Sequence, residues 1–335
     1  MCGISGFIST NGDFEKNISK TLKLMATRGP DHQNHIKFVN NTNRINLLHS
    51  RLNIIDLKDR SNQPFKIGEY TIVFNGEIYN YLEIKKKLEK KYCFKTKSDT
   101  EVLLYSFIEY GEKCQELFDG MWSFAIWNDN KKTLFLSRDP FGEKPLFYTF
   151  VGNNFFFGSE IKYLFSLSNK QKKINKNKIN NYLFNGYKSI YHDNKTFFEG
   201  IKELPSGSFI KIKKHDDFVI KKYFSIKSKQ VEKKIYNFEE IIIENKKNLI
   251  HSVDLRMRSD VPIAFCLSGG IDSGALVSIA SKVLNKKINW FSIIDDDERY
   301  NEYDNIKKIV KDCNANHFPI FLKKKKLVFL TNYLN

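Results

Sequence analysis

An α+β domain followed by a smaller α/β domain is the fold class this sequence predicts. Three observations predict it. At 335 residues the chain is long enough for two ordinary cores. Over the first two hundred residues, short apolar runs of strand character alternate with a few helical stretches. From Val261 onward a strand, a Gly-rich turn, a helix and a second strand succeed one another, the rhythm of a doubly wound parallel sheet. A charged hairpin-like stretch and a polar linker between Lys213 and Lys234 put the boundary near residue 230, with domains expected over residues 2–230 and 235–335.

Apolar residues make up 41% of the chain, a globular composition. The sequence opens without an apolar signal region and contains no apolar run long enough to span a membrane. Cys2, Cys93, Cys114, Cys266 and Cys313 are odd in number and lack CxxC spacing, which argues for free thiols in a reducing cytoplasm and against structural zinc. The net charge of +17 raises nucleic acid as a partner. The lysines, however, are scattered among Asn, Ile and Phe, and the densest run, Lys323 to Lys326, reads as a solvated segment.

The first residues carry the first chemical signal. In Met1-Cys2-Gly3-Ile4 a cysteine follows the methionine, so removal of Met1 leaves a thiol and a free α-amine on one residue. With reference pKa values of about 8.5 and about 8, the amine can accept the thiol's proton near neutral pH, a nucleophile and its base in one residue. Gly3 to Ile8 reads as a buried strand anchoring that terminus. A helical stretch from about Ile18 to Ala26 stops at Arg28-Gly29-Pro30-Asp31, where Gly-Pro breaks it.

His49 to Asp56 reads as a short strand with a polar end, followed by Gln63-Pro64. Arg51, beside an apolar run, is either a surface side chain laid along apolar area or a bidentate clamp for a carboxylate. Tyr70 to Asn80 carries a strand into Asn75-Gly76, a hairpin signal. The same pair also suits an oxyanion hole, with an amide donor on Asn75 and an unobstructed backbone N–H on Gly76. Ser98-Asp99-Thr100-Glu101 opens a helix through Val102, Leu103, Leu104 and Phe107. Capping accounts for Ser98 or Asp99, and a carboxylate there equally suits a substrate ammonium. Leu134 to Arg138 and Asn154 to Gly158 read as strands whose aromatics belong to the core.

Past the boundary, Ile242, Leu249, Ile250 and Val253 have helical spacing within Glu239 to Met257. Val261 to Leu267 reads as a buried parallel strand running into Ser268-Gly269-Gly270-Ile271-Asp272-Ser273-Gly274 and a helix over Ala275 to Leu284. Such a turn presents backbone N–H groups to an anion, although the Gly-Lys-Ser/Thr ending of a Walker A loop is absent. A plain βα turn capped by Asp272 or Ser273 is the alternative. A second strand, Trp290 to Ile294, leads to a helix from about Asp304 to Val310, and the acidic Asp295 to Glu298 reads as a polar loop.

In order, Met1-Cys2-Gly3-Ile4, Arg28-Gly29-Pro30-Asp31, Arg51-Leu52-Asn53-Ile54-Ile55-Asp56, Asn75-Gly76-Glu77-Ile78-Tyr79-Asn80 and Ser98-Asp99-Thr100-Glu101 resemble the class II glutamine amidotransferases, and within them the asparagine synthetases. Asp119 to Trp127, Ser137 to Leu146, Ser159 to Lys162 and Glu203 to Gly207 extend the resemblance. Ser268 to Ser273 resembles the pyrophosphate loop of the ATP-pyrophosphatases. The resemblance implies an N-terminal-nucleophile αββα sandwich, two sheets between helix layers, followed by a partial α/β ATP-pyrophosphatase-like domain. It implies Cys2 as nucleophile on the glutamine side-chain amide and Asn75 and Gly76 as the oxyanion hole. Glutamine binding is implied for Arg51, Leu52, Asn53, Ile54, Ile55, Asn75, Gly76, Glu77 and Asp99, with Arg51 on the carboxylate and Asp99 on the ammonium. ATP binding is implied for Leu267, Ser268, Gly269, Gly270, Asp272, Ser273 and Ile293. Mg2+ is expected with ATP, through ligands the sequence does not name, and no prosthetic group is expected.

The second half of that family's synthetase domain has no counterpart here, including a later loop containing Ser-Gly-Glu-Gly. An open parallel sheet cut at this point would expose an edge and an apolar face. A truncated or split reading frame, completed by a downstream-encoded chain, is therefore the expectation. The expected reaction is glutamine- and ATP-dependent synthesis of asparagine from aspartate, in the cytoplasm. A stand-alone glutaminase or ammonia donor is the alternative, as is an amidotransferase acting on another carboxylate such as a surface-sugar acid. A homodimer is left open, and neither nucleic acid nor membrane is expected as a partner.

Overall fold

The computed structural model describes residues 1–39, 43–213, 217–226 and 237–322. The chain divides into two compact units, Met1–Lys229 and Gln230–Asn335. The expected boundary near residue 230 and the Lys323 to Lys326 run lie outside the described residues.

The first unit begins with β1 (Gly3–Ser9), α1 (Ile18–Met25), β2 (His32–Val39), β3 (Arg44–Arg51), β4 (Phe65–Ile67), β5 (Tyr70–Ile78), α2 (Tyr81–Leu88) and α3 (Asp99–Tyr110). It continues with β6 (Gly120–Asn128), β7 (Thr133–Arg138), β8 (Phe147–Val151), β9 (Asn154–Gly158), α4 (Ile161–Ser168) and α5 (Lys176–Asn185). The strands β10 (Ile201–Glu203), β11 (Ser208–Ile212) and β12 (Phe218–Lys222) close it. Two six-stranded antiparallel sheets result, ordered β10-β8-β9-β1-β3-β2 and β12-β11-β7-β6-β5-β4.

Strand alternation decides the layering. Ile4 and Ile8 of β1 and Ile45 and Leu47 of β3 point inward and meet Val73, Ala125, Trp127, Leu134 and Leu136 of the other sheet. Phe7 and Leu48, out of phase with them, instead meet Ile18 and Met25 of α1 and Tyr163 and Leu167 of α4. On the second sheet, Ile72, Phe74, Trp122 and Phe124 face outward onto Ile84 and Leu88 of α2 and Val102 to Leu104 of α3. The architecture is thus the expected helix–sheet–sheet–helix sandwich.

Two local readings are corrected. The strand expected over His49 to Asp56 runs instead over Arg44–Arg51, and the chain then turns into a loop in which Asp56 has a φ of 51°. The Asn75-Gly76 hairpin does not form. β5 passes straight through both residues, with Asn75 opposite Ser123 and Gly76 opposite Trp122 of β6. Nine paired positions along β6 override the local turn preference. Glycine is required at 76 for another reason: a Cβ there would lie 2.1 Å from the Met121 carbonyl oxygen.

The second unit comprises α6 (Phe238–Arg256), β13 (Ala264–Cys266), α7 (Ile271–Ser278), β14 (Asn289–Asp295), α8 (Tyr303–Cys313) and β15 (Asn316–Leu322). Its strands form a parallel sheet ordered β13-β14-β15. Val253, Val277 and Ile306, one from each helix, pack with Leu267, Trp290 and Ile294 on one face. On the other face Phe291, Ile293, Phe318 and Ile320 are exposed, and Phe291 stacks on its register partner Phe318 at 5.1 Å. The buried strand expected over Val261 to Leu267 is therefore three residues long, with Ala264 and Cys266 exposed. Of the four apolar positions read at helical spacing, Val253 is buried, whereas Ile242 and Leu249 are exposed.

Candidate active site

Four chain segments meet at one pocket of the first unit. They are the start of β1, the end of β3 with the loop after it, the end of β5, and the start of α3. The pocket is lined by Cys2, Arg51, Leu52, Ile54, Ile55, Gln63, Phe74, Gly76, Glu77 and Ser98 to Thr100.

Cys2 is half-buried and held on both sides of its backbone. The Arg28 guanidinium donates to the Cys2 carbonyl at 2.9 Å and bridges to Glu160 at 3.3 Å. The neighbouring Ile4 N–H donates to Ser159 Oγ at 3.1 Å. The thiol donates to the Leu52 carbonyl at 3.6 Å, and its sulfur accepts the Leu52 N–H at 3.4 Å. Burial pushes the thiol up to about 11, with the Leu52 hydrogen bond opposing and the Glu77 carboxylate adding to the rise. With Met1 in place the α-amine belongs to Met1, and burial lowers its pKa.

Arg51 is almost fully buried, so it is not a surface side chain laid along apolar area. Its Nη1 donates to Lys58 O at 3.1 Å and Asn62 Oδ1 at 2.8 Å, and its Nη2 to Ile55 O at 3.2 Å and Asp56 O at 2.5 Å. Both terminal nitrogens thus fasten the loop that ends β3. Asp56 completes the loop by accepting from Arg60 Nε and the Lys97 N–H, contacts that hold its carboxyl at about 2 despite burial. Asp31 accepts the Asn53 N–H at 2.7 Å. Asn53 is not among the residues lining the pocket, whereas Leu52, Ile54 and Ile55 are.

Gly76 and Glu77 line the pocket, while Asn75 lies beneath it, buried, with Nδ2 3.4 Å from Ser123 Oγ and Oδ1 without a hydrogen-bond partner. Burial and the neighbouring Asp99 raise the Glu77 carboxyl well above the usual range. Ser98 caps α3 by accepting the Thr100 N–H at 3.1 Å, which leaves Asp99 as the first helical residue. Asp99 accepts the Ile78 N–H at 2.9 Å, tying α3 to the end of β5. Burial raises the Asp99 carboxyl to about 6, against the pull of those hydrogen bonds. An ionised carboxylate in so dry a place favours a cationic ligand.

Sequence reasoning passed over several residues of this arrangement. Gln63 bridges β5 to α3, accepting the Phe74 N–H at 2.6 Å and donating to Thr100 Oγ1 at 3.1 Å. Arg28, Ser159 and Glu160 hold the backbone of the first residues, and Lys144 is a buried cation in electrostatic reach of Cys2 and Glu77. All but Gln63 lay within recognised motifs, the one signal available. Which atoms they reach depends on segments far away in the chain.

In the second unit, the loop after β13 joins Ser268 to Ser273, with their hydroxyls 3.0 Å apart and Ser273 Oγ accepting the Ser268 N–H at 3.2 Å. Gly269 has a φ of +84°, and a Cβ there would crowd Glu302. Gly270 precedes α7, and Asp272 is exposed in its first turn. Leu267 is buried beneath the loop, and Ile293 is exposed on the uncovered sheet face. Among the described residues no group of three His, Cys, Asp or Glu side chains is arranged to hold a metal. Asp272 offers a carboxylate in the loop, a donor that suits an ion carried largely by phosphate oxygens.

Residues 1–224 match the glutamine amidotransferase domain family, and residues 244–331 match asparagine synthase. A putative glutamine-hydrolysing asparagine synthetase 2 of Methanocaldococcus jannaschii is 34% identical, over 97% of this chain and 65% of its own length. Glutamine-hydrolysing asparagine synthetase 1 of Bacillus subtilis is 35% identical, over 91% of this chain and 47% of its own. The amidase chry2 of Gibberella zeae is 29% identical, over 85% of this chain and 44% of its own. The chain thus spans about half to two-thirds of the length of these relatives. Among solved structures, the allosteric regulatory enzyme of purine biosynthesis is similar in fold, with a TM-score of 0.50 at 12% identity over 96% of this chain and 80% of that one.

Proposed function

This chain belongs to the glutamine amidotransferase family, and on that footing we propose that it releases ammonia from the glutamine side-chain amide at Cys2 and passes it to an adenylated aspartate. The observation that carries the reading is the convergence of Cys2, Gly76, Glu77, Arg51 and Asp99 on one pocket.

The Cys2 sulfur attacks the amide carbon, and the carbonyl oxygen becomes an oxyanion that Asn75 and the Gly76 N–H stabilise. The α-amine that Met1 removal exposes on Cys2 takes the thiol proton as the sulfur attacks, and, now an ammonium, gives that proton to the nitrogen as the carbon–nitrogen bond breaks, so that ammonia leaves a thioester. Water then hydrolyses the thioester to glutamate and regenerates the thiol. Asp99 and Glu77 receive the substrate ammonium. Arg51 faces the carboxylate mainly by shaping the loop, so that Leu52, Asn53, Ile54 and Ile55 present backbone groups to glutamine. Leu267, Ser268, Gly269, Gly270, Asp272, Ser273 and Ile293 bind ATP, and its cleavage to pyrophosphate activates the aspartate carboxylate. Mg2+ bound with the ATP phosphates would neutralise their charge, with Asp272 as the carboxylate at hand. The five free thiols suit a cytoplasmic setting.

The uncovered apolar face of the second unit's sheet favours a second reading, a glutaminase that donates ammonia without completing the ligase reaction. One incubation with glutamine, aspartate, ATP and magnesium separates the two. Glutamate, asparagine and AMP together support the ligase, glutamate alone supports the second reading, and no glutamate refutes both.

A further inference from the structure

The strand that carries Asn75 and Gly76 outruns its neighbour on one edge. β4 is the edge strand of its sheet and pairs with β5 only from Ile67 opposite Tyr70 to Phe65 opposite Ile72. Phe74, the residue just before Asn75, is held instead by two side chains. Its N–H donates to Gln63 Oε1 at 2.6 Å, and its carbonyl oxygen lies 3.0 Å from His49 Nε2. A carbonyl can only accept, so Nε2 carries the ring proton and donates it.

His49 reaches Phe74 from the other sheet. Its backbone lies on β3 opposite Ile4 of β1, in phase with Ile45 and Leu47, which enter the space between the sheets. The ring is fully buried, and among the described residues Nδ1 has no hydrogen-bond partner. Burial, with Arg51 and His32 adding to it, pushes the imidazole down to about 3, although the Phe74 hydrogen bond opposes. The neutral ring thus keeps its one proton on the Phe74 side. A bare Nδ1 in so dry a place is costly, and an apolar side chain would fill the core without that penalty. The imidazole is therefore explained by its bond to Phe74 and not by packing.

That bond fixes the peptide plane between Phe74 and Asn75. The Asn75 side chain has little else to hold it. Its Nδ2 is 3.4 Å from Ser123 Oγ, longer than an ordinary N–H···O hydrogen bond, and its Oδ1 has no partner among the described residues. Gly76 has no side chain with which to anchor its own N–H. Both groups take their direction from a backbone fastened at Phe74.

We propose that His49 is a positioning residue of the oxyanion hole: by holding the Phe74 carbonyl, its Nε2–H aims the Asn75 amide and the Gly76 N–H at the oxygen that becomes negative when Cys2 attacks. This rests on the reading of the pocket as a glutamine site with those two donors. The test measures kcat and KM for glutamate release by the full chain, and inhibition by the glutamine analogue in which an aldehyde replaces the amide. The Cys2 sulfur adds to the aldehyde carbon, the carbon–oxygen π bond opens, and the thiol proton passes to the oxygen. That oxygen then occupies the hole. An inhibition constant, unlike kcat, does not depend on how much of the protein is active.

His49→Met is expected to lower kcat about 10- to 100-fold and to weaken the aldehyde by a similar factor, while KM stays within about threefold. His49→Gln, whose amide nitrogen can stand in for Nε2, is expected to restore both to within about threefold. If His49→Met fails to fold, His49→Asn, too short to reach the Phe74 carbonyl, serves in its place. A fall in kcat with unchanged inhibition, a change confined to KM, or no change at all overturns the proposal while leaving the glutamine reading intact. So does a His49→Gln protein as impaired as the apolar variant. Absence of glutamate from the unsubstituted chain overturns the glutamine reading and this proposal with it.

Discussion

The backbone N–H of Leu52 points at the sulfur of Cys2 from 3.4 Å, fifty residues away in the chain. The contact places the thiol against the loop that Arg51 organises, so the proposed nucleophile and the proposed glutamine cradle share one wall.

Cys2→Ala should abolish glutamate release, because no other thiol lines the pocket. The melting temperature should change little, since Cys2 is only half-buried and lies at the start of β1. Glutamate assay and thermal melting check the two halves, and residual turnover would remove Cys2 from its assigned role.

Arg51→Ala should destabilise the first unit by roughly 3 kcal/mol, because it strands the carbonyls of Ile55, Asp56 and Lys58 around a buried gap. Arg51→Lys should not rescue it, since one ammonium cannot reach four acceptors fanned around a planar guanidinium. Chemical denaturation of the three proteins measures this.

Asp99 links pH to binding. Its folded-state value of about 6 lies above the ordinary value of 3.8, so ionising it costs the folded protein stability as pH rises through that window. Only the ionised form attracts an ammonium, so the KM for glutamine should climb as pH falls through about 6. Asp99→Asn keeps an acceptor for the Ile78 N–H. It should be no less stable than the original at pH 7 while its KM rises at least tenfold.

Gly76→Ala should cost about 1–3 kcal/mol and most of the activity, because its Cβ would be driven into the Met121 carbonyl. Thermal melting together with glutamate assay would show both losses. A stable, active variant would mean that the two strands can part there freely.

Asp272→Ala should leave glutamine hydrolysis intact and remove AMP formation, since Asp272 is exposed in a separate compact unit. Parallel assays for glutamate and AMP decide it, and loss of both would show that the two chemistries are not separable.

The sequence by itself determined which chemical groups exist and what each short segment prefers. Cys2 after Met1, Ser98 ahead of a helical run, and the strand–turn–helix around Ser268 are properties of neighbouring residues, and neighbours are what periodicity and capping report. What only the tertiary structure decided are relationships across the chain. Asn75-Gly76 became straight strand because β6 pairs with it. Arg51 proved to be a loop fastener because four acceptors converge on it. A hydrogen bond or a charge pair depends on distance in space, and local sequence preference carries no record of which distant segment will supply the partner.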